Sequence, residues 1–207
     1  MKLYPELSAT VQELEQEYNQ IPENRKQQLQ QLARYVRQKQ ASGQPAQLNF
    51  ICTHNSRRSH MAQLWALAAA AQHDVGPVAC FSGGTEATAF NPNAVEAMRQ
   101  LGFRIEKTDE GANPVYSIRY APELPAARVW SKEVTDAVNP SSNFAAIMTC
   151  SDADENCPVI PGAEIRIPLT YEDPKAFDGT AEQQAKYVER ARQIGRELLY
   201  AFQTVSS

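Results

Sequence analysis

Apolar residues recur along the chain in two alternating patterns, short continuous runs and longer stretches with helical spacing. Four short runs are typical of buried strands, at 48–52, 78–82, 144–148 and 164–168. Amphipathic helices are predicted after the first, second and fourth runs, at 59–71, 93–101 and 181–202. Strands that alternate with helices indicate parallel pairing. The pattern predicts an α/β fold with an open parallel four-stranded sheet and helices on both faces.

The first 46 residues lie outside this alternation. A helix is predicted from Pro22 to about residue 40, because Leu29, Leu32 and Val36 recur at helical spacing. A shorter helix is predicted over 11–18. We expect these helices either to cover the main domain or to form a homodimer contact. The chain is thus divided into an N-terminal helical arm over 1–46 and an α/β domain over 47–207.

A second departure from the pattern lies at 113–143. The stretches 115–120 and 128–132 have extended character and are separated by Pro122 and Pro125. We expect an antiparallel β-hairpin here, inserted into the α/β domain, and its Tyr116, Tyr120 and Trp130 are candidates for a wall or lid over a site.

Charge and composition limit the possible functions. The formal net charge of -4 argues against a nucleic-acid surface, since binding a phosphate backbone needs clustered basic residues. No apolar run approaches the roughly 20 residues of a membrane span, and the N-terminus lacks the apolar core of a secretion signal. We therefore expect a soluble, cytoplasmic protein.

The chain has four cysteines, Cys52, Cys80, Cys150 and Cys157. A reducing compartment favours free thiols over structural disulfides. None of the cysteines shows the close pairwise spacing of zinc ligands, so no metal and no cofactor are expected. Cys80 lies within an apolar strand and is interpreted as structural.

Cys52 and Arg58 enclose a polar loop between the first strand and the following helix. A loop of this length wraps its N–H groups around a tetrahedral anion above the helix N-terminus. Arg58 would hold two anion oxygens through its planar fork, and the same groups stabilise Cys52 as a nucleophilic thiolate. The candidate oxyanion-binding residues are Thr53, His54, Asn55, Ser56, Arg57, Arg58 and Ser59.

Individual loop positions carry further expectations. Asn55 suits a left-handed turn, and the Ser59 hydroxyl is placed to hydrogen-bond the thiolate. We expect His54 to face solvent, Arg57 to lie at the exposed rim, and His60 to lie on the helix surface.

Asp173 is the candidate proton donor. The leaving oxygen needs a proton, and Pro174 would fix a turn that holds Asp173 over the loop. Asp178 is the second choice. Aspartate also caps turns without any catalytic role, which is the alternative interpretation of Asp173.

Cys150 and Cys157 suggest a relay of thiols. Cys150 follows the third predicted strand, so it should emerge at the same sheet edge as Cys52. Cys52 would attack the anion, Cys150 would capture its sulfur, and the disulfide would pass to Cys157 and then to an external reductant. The alternative is that Cys150 is a packed strand end and Cys157 is incidental.

The segments CTHNSRRS, TCSDADENCP and YEDP, in this order, resemble the thioredoxin-coupled arsenate reductases, relatives of the low-molecular-weight protein tyrosine phosphatases. The resemblance runs from about residue 48 to the C-terminus without the insert. It implies a covalent arsenic adduct on Cys52, release of arsenite by Cys150, and transfer of the disulfide to Cys157 for reduction by thioredoxin. It also implies that Arg58 binds the oxyanion and Asp173 protonates the leaving oxygen.

Three functions are compatible with these residues. The first is arsenate reduction; the second is phosphomonoester hydrolysis, which needs Cys52, Arg58 and Asp173 alone; the third is a redox sensor or oxyanion-binding module without turnover. The chain has His54 where the family loop normally has glycine, and a side chain there could change the loop backbone. Lys175 stands where the phosphatases have a tyrosine, which weakens the phosphotyrosine interpretation.

Overall fold

The computed structural model describes residues 2–156 and 159–206, so Cys157, the third thiol of the predicted relay, lies outside the described residues. The strands, in chain order, are β1 (Ala46–Cys52), β2 (Val78–Gly84), β3 (Arg104–Lys107), β4 (Tyr116–Arg119), β5 (Ala127–Val129), β6 (Phe144–Met148) and β7 (Ala163–Pro168). The helices are α1 (Pro5–Gln16), α2 (Glu23–Ala41), α3 (Arg58–Gln72), α4 (Pro92–Gln100), α5 (Ser151–Asn156) and α6 (Gln183–Ser206). Short 3-10 turns cover Tyr18–Gln20 and Pro174–Phe177.

The predicted four-stranded parallel sheet is confirmed, with the strand order β2-β1-β6-β7. Ile51 near the end of β1 pairs with Met148 at the end of β6. The Thr149 amide continues this pairing by donating to the Ile51 carbonyl over 2.7 Å. Cys52 and Cys150 therefore leave the sheet at the same edge, where the carboxyl ends of parallel strands place ligand sites.

A separate antiparallel sheet contains the predicted hairpin. Strands β4 and β5 pair with Tyr116 opposite Val129, and β3 adds a third strand on the other side of β4. Strand β3 was not predicted, because its sequence has one buried apolar residue, Ile105, among three exposed charged residues. Tyr116 and Tyr120 are buried in this layer. Their side chains therefore belong to the core and do not form a lid.

The N-terminal helices pack against α6 and share the main apolar core. Leu7, Leu14, Leu29 and Leu32 are buried in that core. Ion pairs from Arg192 to Glu13 and Glu17 reinforce the contact. This packing supports the first predicted role of the arm, covering the domain, and the homodimer contact stays a prediction.

Apolar side chains form a second, smaller cluster at the functional edge of the sheet. It contains Ile51, Cys52, Met148, Cys150 and Ala153. Both described thiols of the relay thus lie in one apolar environment. Within residues 2–156 and 159–206, no helix combines the length and apolar character that crossing a membrane requires.

Candidate active site

Cys52 ends β1 and its side chain is almost fully buried, 3% exposed. Its sulfur lies 3.0 Å from the Ser59 hydroxyl oxygen. The Asn55 side-chain amide donates to that same oxygen over 2.9 Å. A hydroxyl that accepts from Asn55 still has its own proton to donate, so Ser59 can donate to the Cys52 sulfur. The Cys52 sulfur therefore lies at the end of a chain of two hydrogen-bonding side chains.

Asn55 has the left-handed conformation that the sequence predicted, with φ of 44°. Its side-chain oxygen accepts a hydrogen bond of 2.9 Å from the Lys132 backbone amide. A chain of contacts thus runs from Lys132 through Asn55 and Ser59 to Cys52. The segment that follows β5 therefore supports the loop that begins at Cys52.

Several backbone carbonyls of the Cys52 loop accept hydrogen bonds from residues that surround the loop. The Thr53, His54 and Ser56 carbonyls each accept hydrogen bonds from the segment 85–91, and Ser131 donates a further one to His54. In a trans peptide the C=O and the next N–H point in opposite directions. The amides that follow these carbonyls therefore face inward, as an anion-binding loop requires.

Arg58 begins α3 and lies against the loop that follows β7. Its Nη1 donates to the Tyr171 carbonyl over 2.9 Å and its Nη2 donates to Asp173 Oδ2 over 2.8 Å. Its buried Nε has no hydrogen-bond partner among the described residues. A buried donor without a partner is costly, so this nitrogen is available to an anion in the loop.

Asp173 both caps a turn and faces the site. Its Oδ1 accepts from the Lys175 amide over 3.0 Å at the start of the 3-10 turn, while Oδ2 contacts Arg58. Asp173 therefore caps the turn, as the alternative interpretation of the sequence proposed, and it also lies beside Arg58. Asp178 lies farther out, where it accepts from the Tyr187 hydroxyl over 2.8 Å.

Cys150 lies at the end of β6 and is fully buried. Its sulfur is 3.5 Å from the hydroxyl oxygen of Thr53, the residue that follows Cys52. The Ala153 amide in the first turn of α5 donates to the same sulfur over 3.4 Å. The one-turn helix α5 was not predicted from the sequence.

Of three further predictions in and beside the loop, the one for His54 agrees with the structure and those for Arg57 and His60 do not. His54 does face solvent, where its Nε2 lies 2.9 Å from Glu86 Oε1. It is absent from the described non-glycine residues with positive φ, so its side chain imposes no left-handed strain. The prediction that Arg57 faces solvent is wrong, because its Nε donates to the Tyr187 hydroxyl over 2.9 Å and its guanidinium lies near Asp173 and Asp178.

His60 is the second correction, since it is fully buried rather than on the helix surface. Its Nδ1 lies 3.2 Å from the Ser82 hydroxyl and its ring stacks 4.4 Å from Phe90. Burial, reinforced by the positive charge of Lys132, holds the pKa of His60 well below its ordinary value. A neutral His60 therefore packs beneath the loop.

Two other buried groups near the sheet have shifted proton affinities. Burial lowers the pKa of Lys132 to about 8, against a smaller opposing effect of Asp136. Its ammonium lies 4.9 Å from the centre of the Trp130 ring. Burial raises the pKa of the Cys80 thiol, which fits the structural role predicted for it.

Among the described residues, no group of three or more histidine, cysteine or acidic side chains is arranged to hold a metal ion.

The sheet order and the Cys52 loop place this domain in the class of low-molecular-weight phosphatase folds. A low-molecular-weight phosphotyrosine phosphatase from Vibrio cholerae shares the fold with a TM-score of 0.50 at 16% identity, covering 75% of this chain and 93% of that one. No family model matches the chain.

Sequence relatives are more specific. An arsenate reductase from Bacillus licheniformis is 31% identical over 153 residues, which cover 72% of this chain and 89% of the relative. An arsenate reductase from Bacillus subtilis is 29% identical over 150 residues with the same coverage. The chain belongs to the arsenate reductase family of enzymes, and its domain has the fold of the low-molecular-weight phosphatases.

Proposed function

We propose that this chain reduces arsenate to arsenite, with Cys52 as nucleophile and Cys150 as the thiol that resolves the arsenic adduct. The observation that carries the proposal is the placement of two buried thiols at one sheet edge, with the Cys150 sulfur in contact with Thr53 of the nucleophile loop. Hydrolysis of a phosphate ester needs one thiol. A second thiol beside the first supports a reaction that ends in a disulfide.

In the first step the Cys52 thiolate attacks arsenic, an S–As bond forms, and one As–O bond breaks. Arg58 holds the oxyanion through its Nε, and the inward amides of the loop hold the other oxygens. Asp173 gives a proton to the leaving hydroxyl, which departs as water. Ser59 stabilises the thiolate before attack.

In the second step the Cys150 thiolate attacks the Cys52 sulfur. An S–S bond forms and the S–As bond breaks with its electron pair kept by arsenic. Arsenic(V) thereby becomes arsenic(III) and leaves as arsenite, while two thiols are oxidised to the Cys52–Cys150 disulfide.

In the third step the Cys157 thiolate attacks the Cys150 sulfur and releases Cys52 as a thiolate. The new disulfide must be reduced from outside, because the relay supplies no further electrons. A dithiol protein of the thioredoxin type fits, since thiol–disulfide exchange passes the disulfide on without any cofactor in this chain.

The test is the consumption of NADPH in a coupled assay that contains arsenate, thioredoxin, thioredoxin reductase and the purified chain. Wild type should turn over, and Cys150→Ser should lose turnover because the thiol that displaces arsenite from Cys52 is missing. Cys80→Ala is the matched control, since Cys80 lies in β2 outside the relay and its loss should leave turnover intact. Full activity in Cys150→Ser, or none in wild type, would show the proposal to be wrong.

Phosphomonoester hydrolysis is the second candidate. Arg58 and Asp173 meet beside the Cys52 loop without any contribution from Cys150. These three residues suffice for a phosphocysteine intermediate and its release. Hydrolysis of phenyl phosphate that persists in a Cys150→Ser, Cys157→Ser double variant, together with no arsenate turnover in wild type, would favour this function.

A further inference from the structure

The N-terminal arm reaches the active site through one arginine. We propose that Arg25 of α2 is a positioning residue that fixes the loop carrying Asp173 and the carbonyl that orients Arg58. The inference rests on the proposed function, in which Asp173 supplies the proton and Arg58 holds the anion.

Arg25 joins α6 to the loop after β7, with one contact on the helix and two on the loop. Its Nε donates to Glu197 Oε2 over 2.7 Å, and its Nη2 donates to the Thr170 carbonyl over 3.1 Å. Its guanidinium carbon also lies 4.6 Å from the centre of the Tyr171 ring. A planar fork can hold a carboxylate, a carbonyl and an aromatic face together, whereas a lysine ammonium cannot.

The same loop is held from the other side by the active site. Arg58 donates to the Tyr171 carbonyl and to the Asp173 carboxylate. Residues 170–173 are thus clamped between an arginine of the arm and the arginine of the oxyanion loop. Loss of the outer clamp would let the Tyr171 carbonyl move, and both Arg58 and Asp173 would lose their fixed geometry.

The sheet supplies a second anchor near the relay thiol. The Leu169 and Tyr171 amides donate to the Met148 and Thr149 carbonyls, which directly precede Cys150. These bonds fix the start of the loop but not the segment that runs to Asp173. Arg25 acts at the point where the loop leaves the sheet.

The effect of Arg25 is transmitted by contact rather than by long-range charge. Glu197 is 2% exposed and pairs with Arg25, so the two charges neutralise each other. Other ion pairs attach the arm to α6 without reaching the loop, including Arg192 with Glu13 and Glu17. Arg192 therefore provides a matched control for loss of an arm contact.

The experiment is a double-mutant cycle between Arg25→Ala and Asp173→Asn, read as kcat and KM. Both arsenate turnover and phenyl phosphate hydrolysis are measured, because the second needs neither Cys150 nor Cys157. Arg25→Ala alone should lower kcat about 10- to 100-fold, the range that a small misplacement of a reacting group causes. In the Asp173→Asn background the same change should cost at least about 3-fold less than in wild type, because the share of the effect that acts through Asp173 is already lost and interacting residues are not additive.

A purely structural role gives a different pattern. The two losses would then multiply, or the loss in Arg25→Ala would match that in the control Arg192→Ala. Either result, or an unchanged kcat in Arg25→Ala, overturns the inference. Failure of the proposed function is seen separately, as absence of arsenate turnover in wild type while the cycle is still read with phenyl phosphate.

Arg25→Lys covers the case in which Arg25→Ala does not fold. Lysine keeps a positive charge opposite Glu197 but cannot also bind the Thr170 carbonyl and stack on Tyr171. We expect a melting temperature near that of wild type and a kcat lowered about 3- to 10-fold, a loss of the size expected for one neutral hydrogen bond. A fully active Arg25→Lys overturns the inference.

Discussion

The Ser59 hydroxyl oxygen lies 3.0 Å from the Cys52 sulfur and accepts a hydrogen bond from Asn55, which leaves its own proton able to donate to a Cys52 thiolate. The sulfur and the hydroxyl are both buried. In such a place a hydrogen bond to an anion is stronger than in water. The reactivity of Cys52 should therefore depend on this one hydroxyl.

We predict that Ser59→Ala lowers the rate of adduct formation on Cys52 about 10- to 100-fold, the equivalent of a charge-assisted hydrogen bond of about 1.5–3 kcal/mol. Rapid mixing with phenyl phosphate followed by quenching measures this step. Ser206→Ala, which removes an exposed hydroxyl at the end of α6, should have no effect. An unchanged rate in Ser59→Ala would show that the hydroxyl does not support the thiolate.

Asn55 combines a backbone role and a side-chain role that substitution can separate. Asn55→Gly keeps access to the positive φ but removes the amide that orients Ser59. Asn55→Ala loses both and adds left-handed strain of roughly 1–2 kcal/mol. We predict similar losses of kcat in the two variants and a free energy of unfolding that is lower in Asn55→Ala than in Asn55→Gly, measured by urea unfolding. Full activity in Asn55→Gly would contradict the orienting role.

Gly84 allows β2 to approach the nucleophile loop. A Cβ at Gly84 would lie 2.7 Å from the Asn55 amide nitrogen and 2.7 Å from the Thr53 carbonyl, and it would also contact the Glu86 carbonyl. Backbone atoms cannot give way cheaply, so Gly84→Ala should displace the loop. We predict a loss of kcat of about 100-fold, as expected for misplaced reacting groups.

Gly195→Ala is the contrast to this variant. Its Cβ would lie 2.6 to 2.8 Å from the Trp65 indole, within the core and away from the loop. It should lower the melting temperature while the folded fraction keeps its kcat. If Gly84→Ala lowered the melting temperature but left kcat unchanged, the close approach of β2 to the loop would have no role in catalysis.

The buried Lys132 should make stability depend on pH. Its pKa of about 8 in the folded protein lies below the roughly 10.4 of a free lysine. Between these values the unfolded chain binds more protons, so the free energy of unfolding rises with pH through that window. The gain is on the order of 3 kcal/mol, and below about pH 8 it is absent because the amine is charged in both states.

Lys132→Met tests this dependence. The variant should be more stable than wild type at pH 7, and the difference should shrink as the pH approaches 10. Urea unfolding at several pH values measures it, with the exposed Lys2→Met as a control that shows a constant difference. A difference between wild type and Lys132→Met that does not change with pH would mean that the ammonium is not buried as described.

Local patterns were sufficient to predict the sheet and the position of Cys52 at its edge. The apolar runs that became β1 and β6 are read directly from the sequence, and their parallel pairing brings Cys52 and Cys150 to one edge. Asn55 could be assigned its backbone conformation because few residue types accept positive φ.

Contacts over long sequence distances were not predictable in the same way. Arg57 turns inward because the Tyr187 hydroxyl of α6, distant in sequence, is its partner. His60 is buried because Phe90 and Ser82 cover its side of α3. The contacts of Arg25 depend on where α2 packs. Periodicity predicted that this helix is amphipathic but not which part of the domain it covers.

The most direct test of the thiol relay is a single turnover by Cys157→Ser with arsenate and no reductant, followed by mass spectrometry. We expect one arsenite released per chain and a disulfide between Cys52 and Cys150, because the third thiol is missing and the disulfide cannot be transferred further. Absence of that disulfide with no arsenite formed would show that the two thiols do not form a relay.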